Sequence, residues 1–278
     1  MSKFHKPKEK KENTFLKNAS GVYLKVKEKF SFLKWFDPFT YVDLWVMPKI
    51  KKVTTNEYVE MAVNIFFALF FAWAIYTLLG LIFQTATPLV IVYSASMENT
   101  FARGDVMALM KVNEVDNFGE VVFLDRSVKG VAVNQFVTPV YENSKIKELI
   151  FKKGDGSTTS ITPNTSGNVV VYSAFPSGLP IIHRSIVKIV ATDGNFILTK
   201  GDNSLTNPTF DQDCGNINDA FEKPDKPCIT FYPIQISELH GRTFFAVPKV
   251  GCVKLWLVDD LMSLLSNGSL PRDFKGIC

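Results

Sequence analysis

An uncharged apolar run, residues 61–83, constrains the fold of this chain more than any other feature. Its 23 residues are mostly Phe, Leu, Ile, Ala, Trp and Val, interrupted by Asn64, Tyr76, Thr77 and Gly80. At about 1.5 Å per residue, a helix of that length reaches roughly 34 Å and can cross the hydrocarbon of a bilayer. About sixty mostly polar residues precede the run, which argues against a cleavable signal peptide. The sequence therefore predicts a single transmembrane helix over 61–83.

Charge is unevenly distributed around this run. Residues 1–53 hold 13 lysines and five acidic residues, a net charge of +8, and the remainder carries −4. Lysines that flank a span favour the cytoplasmic side. We therefore expect residues 1–60 to form a basic cytoplasmic or interfacial region and residues 84–278 to lie outside the cytoplasm.

The basic region has several candidate partners. A long basic arm also occurs in nucleic-acid-binding proteins, but the adjacent span argues against a nucleic acid here. Anionic membrane lipid and the translocation machinery both remain candidates. The aromatic-rich stretch 35–50 fits an interfacial segment, and it fits a packed or oligomerising helix equally well.

Beyond the span the pattern is that of an all-β domain. Apolar or alternating runs over 105–112, 120–124, 168–172, 181–191, 196–200 and 242–253 are punctuated by Gly, Asn and Asp. Residues 186–200 predict a hairpin around Asp193-Gly194. Residues 127–166 are polar and variable, typical of an excursion from the sheet without a second core. The predicted fold is mainly β, with one transmembrane helix, a polar insertion over 127–166 and a short terminal helix near 259–265.

The four cysteines do not have metal-ligand spacing, so no metal site is expected. Cys214 and Cys228 lie in a polar, Pro-rich stretch, whereas Cys252 lies in an apolar, strand-like run. A Cys214–Cys228 disulfide is possible in an oxidising compartment, and two free thiols are the alternative.

A serine follows the predicted span by thirteen residues, in Tyr93-Ser94-Ala95-Ser96-Met97. A serine hydroxyl becomes a good nucleophile when a neighbouring base accepts its proton, and imidazole titrates in the right range. Of three histidines, His183 lies on the same predicted side as Ser96 and within an apolar run. A carboxylate of Gly201-Asp202-Asn203 could orient its ring. These residues predict a serine peptidase at a membrane surface.

The combination resembles the type I signal peptidases of the S26 family, in the archaeal and endoplasmic-reticulum branch, whose base is a histidine. The resemblance covers roughly residues 72–257. It rests on Ser94 to Met97, Arg103-Gly104-Asp105, Ile181 to Arg184, Thr199 to Asn203, and Val247-Pro248-Lys249-Val250-Gly251. A proline that the family usually carries two residues after Ser-Met is replaced by Asn99.

The resemblance implies a role for each matching residue. Ser96 is the expected nucleophile, His183 the general base, and Asp202 a carboxylate near the imidazole. A second aspartate usually follows about six residues later, but position 208 is proline; Asp211 is preferred over Asp213 if three residues are inserted. No cofactor is implied.

Two further features of the site are expected. The backbone N–H of Ser96 and the hydroxyl of Ser94 are candidate donors to the oxyanion. The strand leading into the serine offers an edge for an extended substrate peptide, with Leu89, Ile91 and Tyr93 as pocket residues or as core.

The function expected is removal of N-terminal signal peptides from secreted and membrane preproteins by a membrane-bound serine endopeptidase. One alternative keeps the fold but restricts the substrate to one class of exported protein. Another is a catalytically silent, membrane-anchored β-module that binds exported chains, for which Ser96 and His183 would be dispensable. Asn164-Thr165-Ser166 and Asn267-Gly268-Ser269 are glycosylation-type sequons, a pattern that also arises by chance.

Overall fold

The structure is a computed structural model that describes residues 37–54, 56–143, 145–214 and 229–269. The chain divides into two compact units, Met1–Thr77 and Leu78–Cys278. Most of the predicted basic arm lies outside the described residues.

Helices make up the described part of the N-terminal unit. Helix α1 (Pro38–Tyr41) starts at Asp37, whose side chain accepts a hydrogen bond from the Phe39 N–H at 2.9 Å. A π-helical turn (Val42–Val46) and helix α2 (Met47–Val53) follow. The helices over the described part of 35–50 are compatible with both hypotheses, an interfacial segment and a packed or oligomerising helix.

Helix α3 (Glu57–Phe83) contains the predicted span and starts four residues before it. The Asn56 side chain accepts a hydrogen bond from the Tyr58 N–H at 2.9 Å, which caps the first turn. Among the described residues, α3 is the one helix long and apolar enough to cross a membrane, and none of its residues is buried. The helix ends where Gln84 takes a positive φ of 53°.

The second unit is built on an eight-stranded sheet, which confirms the predicted mainly-β fold. Its strands are β1 (Leu89–Ile91), β2 (Val106–Met110), β3 (Glu120–Phe123), β7 (Val169–Ser173), β8 (Pro180–Ala191), β9 (Gly194–Lys200), β10 (Ile234–Gln235) and β11 (Gly241–Val247). Seven of them lie in the order β1-β2-β11-β7-β8-β9-β10, and β3 pairs with β8.

Strand β8 organises this sheet because three strands pair along its length. Its first half pairs antiparallel with β7, its second half pairs antiparallel with β9, and β3 runs parallel beside it. The β8–β9 hairpin is as predicted, with Ala191 opposite Gly194 and a two-residue turn between them. The Asp193 carboxylate accepts a hydrogen bond from the Lys129 N–H at 2.8 Å, which attaches the predicted insertion to this turn.

The predicted insertion contains its own three-stranded antiparallel sheet. Strands β4 (Val137–Glu142), β5 (Lys145–Lys152) and β6 (Thr158–Ile161) lie in that order. Their buried residues, including Leu149 and Phe151, belong to the same hydrophobic cluster as Ile186 and Val187 of β8. The excursion from the main sheet therefore shares its core.

The apolar run 242–253 is a strand only in its first part. Strand β11 ends at Val247 because Pro248 lacks an N–H donor and Lys249 takes a positive φ of 56°. The prediction that Cys252 lies in a strand-like run is wrong, since it begins helix α4 (Cys252–Lys254). A π-helical stretch (Leu255–Asp260) and helix α5 (Leu261–Asn267) continue from there, so the predicted terminal helix starts earlier than expected.

Both described cysteines, Cys214 and Cys252, are disulfide-bonded. The free-thiol alternative is therefore wrong for Cys214. Its predicted partner, Cys228, lies outside the described residues, and that pairing stays a prediction.

Candidate active site

The serine lies in a tight loop directly after β1. Ser96 is half-buried, and its Oγ lies 3.0 Å from the Oγ of Ser94. The next side chain, Met97, is fully buried and anchors the loop in the core with Val92 and Leu109. The loop therefore holds Ser96 at the surface of the domain while its neighbour is fixed inside.

The Gly201-Asp202-Asn203 segment packs against this loop. The Asn203 N–H donates to the Ser96 carbonyl at 2.9 Å, and its side-chain amide donates to the Ala95 carbonyl at 2.9 Å. A Cβ at position 201 would lie 2.7 Å from the Ser96 carbonyl oxygen, so only glycine permits this approach. The segment therefore supports the backbone of the serine loop.

The imidazole of His183 is buried against a carboxylate. Its Nδ1 lies 2.7 Å from Oδ2 of Asp211, and the two residues are 2% and 1% exposed. The same oxygen accepts hydrogen bonds from the Tyr172 hydroxyl at 2.9 Å and the Thr199 hydroxyl at 2.6 Å. With Nδ1 held by Asp211, Nε2 is the ring nitrogen left for a reacting group.

The donors around Asp211 are fixed by the sheet. Tyr172 lies on β7 and Thr199 on β9, so the two strands that flank β8 both reach the carboxylate. Burial, together with the neighbouring Asp211 charge, raises the pKa of Tyr172 well above its usual value. The tyrosine thus keeps its proton and remains a donor to Asp211.

Asp202 does not occupy the predicted place beside the imidazole. Its two carboxylate oxygens accept hydrogen bonds from Nε and NH2 of Arg184 at 2.8 and 2.7 Å. The Thr100 hydroxyl, four residues after Ser96, also donates to it at 2.5 Å. Burial alone would raise the pKa of Asp202, but the hydrogen bonds from Arg184 and Thr100 outweigh it and lower that pKa. The expectation that Asp202 lies near the imidazole is therefore wrong. Asp202 binds Arg184, which follows His183 on β8 and so faces the opposite way. Through Arg184 and Thr100, Asp202 joins β8 to the serine loop.

The alternative carboxylate, Asp213, points elsewhere. Its side chain accepts a hydrogen bond from the hydroxyl of Tyr141, on β4 of the insertion. Of the three aspartates considered from the sequence, the structure brings Asp211 to His183.

Ser96 and His183 line one cavity of about 760 Å³. Most of its other lining side chains are apolar, among them Val90, Ile181, Ile182 and Leu255. Ile91 and Tyr93 also line it, in agreement with the expectation that they are pocket residues. Leu89 is not among its lining residues. A cavity of this size and polarity can accept several side chains of an extended chain.

Two strand segments border the cavity, and each pairs with only one other strand among the described residues. Strand β1 lies at the edge of the sheet and pairs with β2. Residues 180–182 of β8 pair with β7, and pairing with β9 begins at Arg184. An extended peptide entering the cavity therefore meets main-chain groups that can pair with it.

Sequence reasoning missed the roles of Tyr172, Thr100 and Thr199. Thr199 begins the motif Thr199 to Asn203, but the motif does not indicate its contact with Asp211. Tyr172 and Thr100 belong to no motif, because they come to the site through strand pairing and loop packing. The described residues contain no group of three or more His, Cys, Asp or Glu side chains that could hold a metal ion.

Comparison with known proteins finds relatives among the catalytic subunits of signal peptidase complexes. The signal peptidase complex catalytic subunit SEC11 of Zygosaccharomyces rouxii is 36% identical over 77 residues, 28% of this chain and 46% of that relative. The sec11 subunit of Schizosaccharomyces pombe is 26% identical over 210 residues, 76% of this chain and 88% of the relative. SEC11 of Lachancea thermotolerans is 31% identical over 101 residues, 36% of this chain and 60% of the relative. No protein-family model matches the chain.

These relatives are eukaryotic, which favours the endoplasmic-reticulum side of the predicted branch over the archaeal side. The match to the Schizosaccharomyces pombe protein extends over three quarters of the chain. The chain is therefore a homologue of the SEC11-type catalytic subunits of signal peptidase complexes.

Proposed function

We propose that the chain is a membrane-anchored serine endopeptidase that removes signal peptides from secreted and membrane preproteins. The observation that carries the proposal is the cavity that Ser96 shares with His183, whose Nδ1 is held by the buried Asp211. The SEC11 relatives support the reaction, since each is named as a catalytic subunit of a signal peptidase complex. Their name also supports a role for this chain within a complex.

In the proposed mechanism His183 acts twice. Its Nε2 accepts the Ser96 proton as Oγ attacks the scissile carbonyl, and then gives that proton to the leaving amine. Water hydrolyses the resulting ester on Ser96 with His183 again as the base. Asp211 accepts the Nδ1–H bond, which fixes the tautomer and stabilises the imidazolium that forms.

The Ser94 hydroxyl has two tasks in this scheme. It lies 3.0 Å from the Ser96 hydroxyl in the free protein and orients it. When the carbonyl becomes an oxyanion, the Ser94 hydroxyl and the Ser96 N–H are its donors in this scheme. A single donor of this kind contributes about 10²-fold to 10³-fold to kcat in serine peptidases.

The substrate is an extended segment with small side chains next to the scissile bond. The apolar lining of the cavity and the strand edges beside it support this choice, since signal peptides end in a small-residue cleavage site. Ile91 and Tyr93 contact the bound segment. Leu89 lies outside the cavity lining and is part of strand β1.

The apolar helix α3 and the SEC11 relatives indicate a single-pass membrane protein. We further propose that residues 1–60 are cytoplasmic and that the catalytic domain lies in the lumen of the endoplasmic reticulum. The positive charge before α3 supports this orientation.

The partners proposed are preproteins, membrane lipid and the translocation machinery.

Purified protein in detergent, its Ser96→Ala variant and a matched Ser204→Ala variant should be incubated with a preprotein carrying a small-residue cleavage site. Ser204 is exposed and lies outside the Ser96 cavity. We expect the parent and Ser204→Ala to produce the same new N-terminus, mapped by mass spectrometry, and Ser96→Ala to produce none. Equal cleavage by Ser96→Ala would refute Ser96 as the nucleophile. Absence of cleavage by all three, with lipid and several signals present, would favour the silent-subunit alternative.

A further inference from the structure

The loop that joins β6 to β7, residues 162–168, carries a motif that the proposed catalysis does not use. Asn164-Thr165-Ser166 has the Asn-x-Ser form of an acceptor for N-linked sugar. Such acceptors are modified in surface loops of domains that enter the secretory lumen. Thr165 and Ser166 are exposed and Asn164 is half-buried. With the lumenal orientation proposed above, on which this inference rests, the motif lies where an oligosaccharide can be added.

The Asn164 side chain is held by hydrogen bonds that leave one of its N–H groups unused by the described residues. Its Oδ1 accepts from the Ser166 N–H at 3.0 Å and from the Ser166 hydroxyl at 2.6 Å. Its Nδ2 donates to Oε1 of Glu120 at 2.5 Å. An amide nitrogen carries two N–H bonds, so a sugar can replace one hydrogen while the other keeps the bond to Glu120. Modification of Asn164 is therefore compatible with the folded loop.

The backbone of this loop is fixed at the end that follows the motif. The Ser166 carbonyl accepts a hydrogen bond from Nδ2 of Asn117 at 2.9 Å, and the Gly167 carbonyl accepts one from NH1 of Arg184 at 2.8 Å. A Cβ at position 167 would lie 2.0 Å from the Ser185 carbonyl oxygen, so glycine is required for this approach. The acceptor thus has a defined position beside β8.

Asn164 and Thr165 line a second cavity, of about 370 Å³, which is within the size range of small-molecule sites. Arg184 and Lys200, opposite each other on β8 and β9, also line it. Among the described residues, three of the five N–H groups of Arg184 and two of the three of Lys200 are engaged in hydrogen bonds. The remaining donors suit the hydroxyl and acetamide oxygens of a sugar, and Ile146 offers an apolar surface to its C–H groups.

We propose that Asn164 is N-glycosylated and that the first sugar of the glycan lies against this cavity. In the transfer, Nδ2 of Asn164 forms a bond to C1 of the first sugar of a lipid-linked oligosaccharide diphosphate. The C1–O bond to the diphosphate breaks, the lipid diphosphate leaves, and the lost amide proton goes to a base of the transferring enzyme. The attached sugar then covers the partly buried Arg184–Asp202 pair, which joins β8 to the serine loop.

The first test counts glycans on the full-length chain synthesised with microsomes. Every variant carries Asn267→Gln, which removes the other sequon of the catalytic domain. Asn164→Gln and Ser166→Ala should each lose one glycan, seen as a shift to the mobility of the endoglycosidase-treated protein. Thr165→Ala is the matched control and should keep the glycan, because any middle residue except proline is accepted. Peptide mass spectrometry should place the glycan on Asn164.

A second acceptor separates the modification from the orientation. Ser204→Asn, added to Asn164→Gln, creates an Asn-x-Thr sequon in the same domain. A glycan on that variant together with an unmodified Asn267→Gln parent would show a lumenal domain whose Asn164 is not used, and would overturn the proposal. Absence of a glycan on both would refute the lumenal orientation and the proposal with it. A glycan that survived in Asn164→Gln would lie on Asn18-Ala19-Ser20 of the basic arm and would overturn both as well.

The contact with the cavity has its own test, in calorimetry of three forms of the Asn267→Gln protein in one detergent. The forms carry the full glycan, the single sugar that endoglycosidase leaves, or no sugar after synthesis with an inhibitor of the lipid-linked donor. The full and trimmed forms should unfold at the same Tm, about 2–4 °C above the sugar-free form. A trimmed form that unfolded with the sugar-free form would overturn the contact, since the first sugar alone would then contribute nothing.

Discussion

Two aspartates nine residues apart support neighbouring side chains of β8 in different ways. Asp211 accepts a hydrogen bond from the imidazole of His183, and Asp202 pairs with the guanidinium of Arg184. One carboxylate acts on the proposed base and the other on the loop of the proposed nucleophile. Their substitutions should therefore have different signatures.

Asp211→Asn should lower kcat by about 10³-fold to 10⁴-fold, because an amide can favour the wrong imidazole tautomer. Peptide cleavage with active-site titration would measure the loss. Asp213→Asn is the matched control, since its carboxylate contacts Tyr141. A similar kcat for Asp211→Asn and the parent would contradict the assigned role.

Asp202→Asn should instead lower the free energy of unfolding, by about 1–3 kcal/mol at neutral pH, because it leaves the partly buried Arg184 without its charged partner. The folded-state pKa of Asp202 is lowered, so its contribution is complete above the unfolded pKa of 3.8 and is lost as pH falls through the folded value. Urea unfolding at several pH values should show the parent and variant converging in acid. Glu114→Gln, at an exposed position, should leave the pH profile unchanged.

At the scale of elements, local patterns predicted the long apolar helix, the β8–β9 hairpin and most strands. Alternation and an Asp-Gly turn act between neighbours in sequence, so one sequence suffices to find them. Patterns between sequence neighbours could not identify Asp211 as the carboxylate that binds His183. Asp211 reaches the ring because its N–H donates to the Thr199 carbonyl at 2.8 Å, bringing the segment after β9 back across the sheet.

The contact between Gly201 and the serine loop predicts a steric effect. Gly201→Ala would place a methyl group 2.7 Å from the Ser96 carbonyl oxygen and from the Asn207 side chain. We expect kcat to fall about 10²-fold, since a shift of about 1 Å in a reacting group costs that much. Ser204→Ala, in the same segment, should retain the parental kcat. Crystal structures of both variants would show whether the loop moves.

The two sheets of the second unit share one core, although the polar character of 127–166 gave little indication of it. Phe151 of β5 is fully buried with Ile186 and Val187 of β8. Phe151→Ala should lower the free energy of unfolding by about 3–5 kcal/mol. Calorimetry should show one transition at a lower Tm, with exposed Phe123→Ala as the control. An early, separate transition would mean that the inserted sheet folds alone.

The proposed orientation can be tested by adding one glycosylation acceptor. Ser204→Asn completes an Asn-x-Thr sequon with Leu205 and Thr206 in an exposed turn, where Leu205 is 95% exposed. Synthesis with microsomes should give one additional glycan, removable by endoglycosidase, if the catalytic domain is lumenal. Adding Thr206→Ala should abolish that glycan. The parental mobility in both variants would place the domain in the cytoplasm.

His183 and Arg184 are consecutive on β8 and serve opposite faces: the histidine lines the 760 Å³ cavity, and the arginine lines another of about 370 Å³ that also contains Asp202. A one-residue slip of β8 against β7 would exchange the two faces. A guanidinium would then enter the apolar cavity, and the imidazole would meet Asp202. Misregistered chains would thus lose both the His183 base and the Arg184–Asp202 pair. The fidelity of one strand pairing during folding therefore decides what fraction of the molecules made can be active.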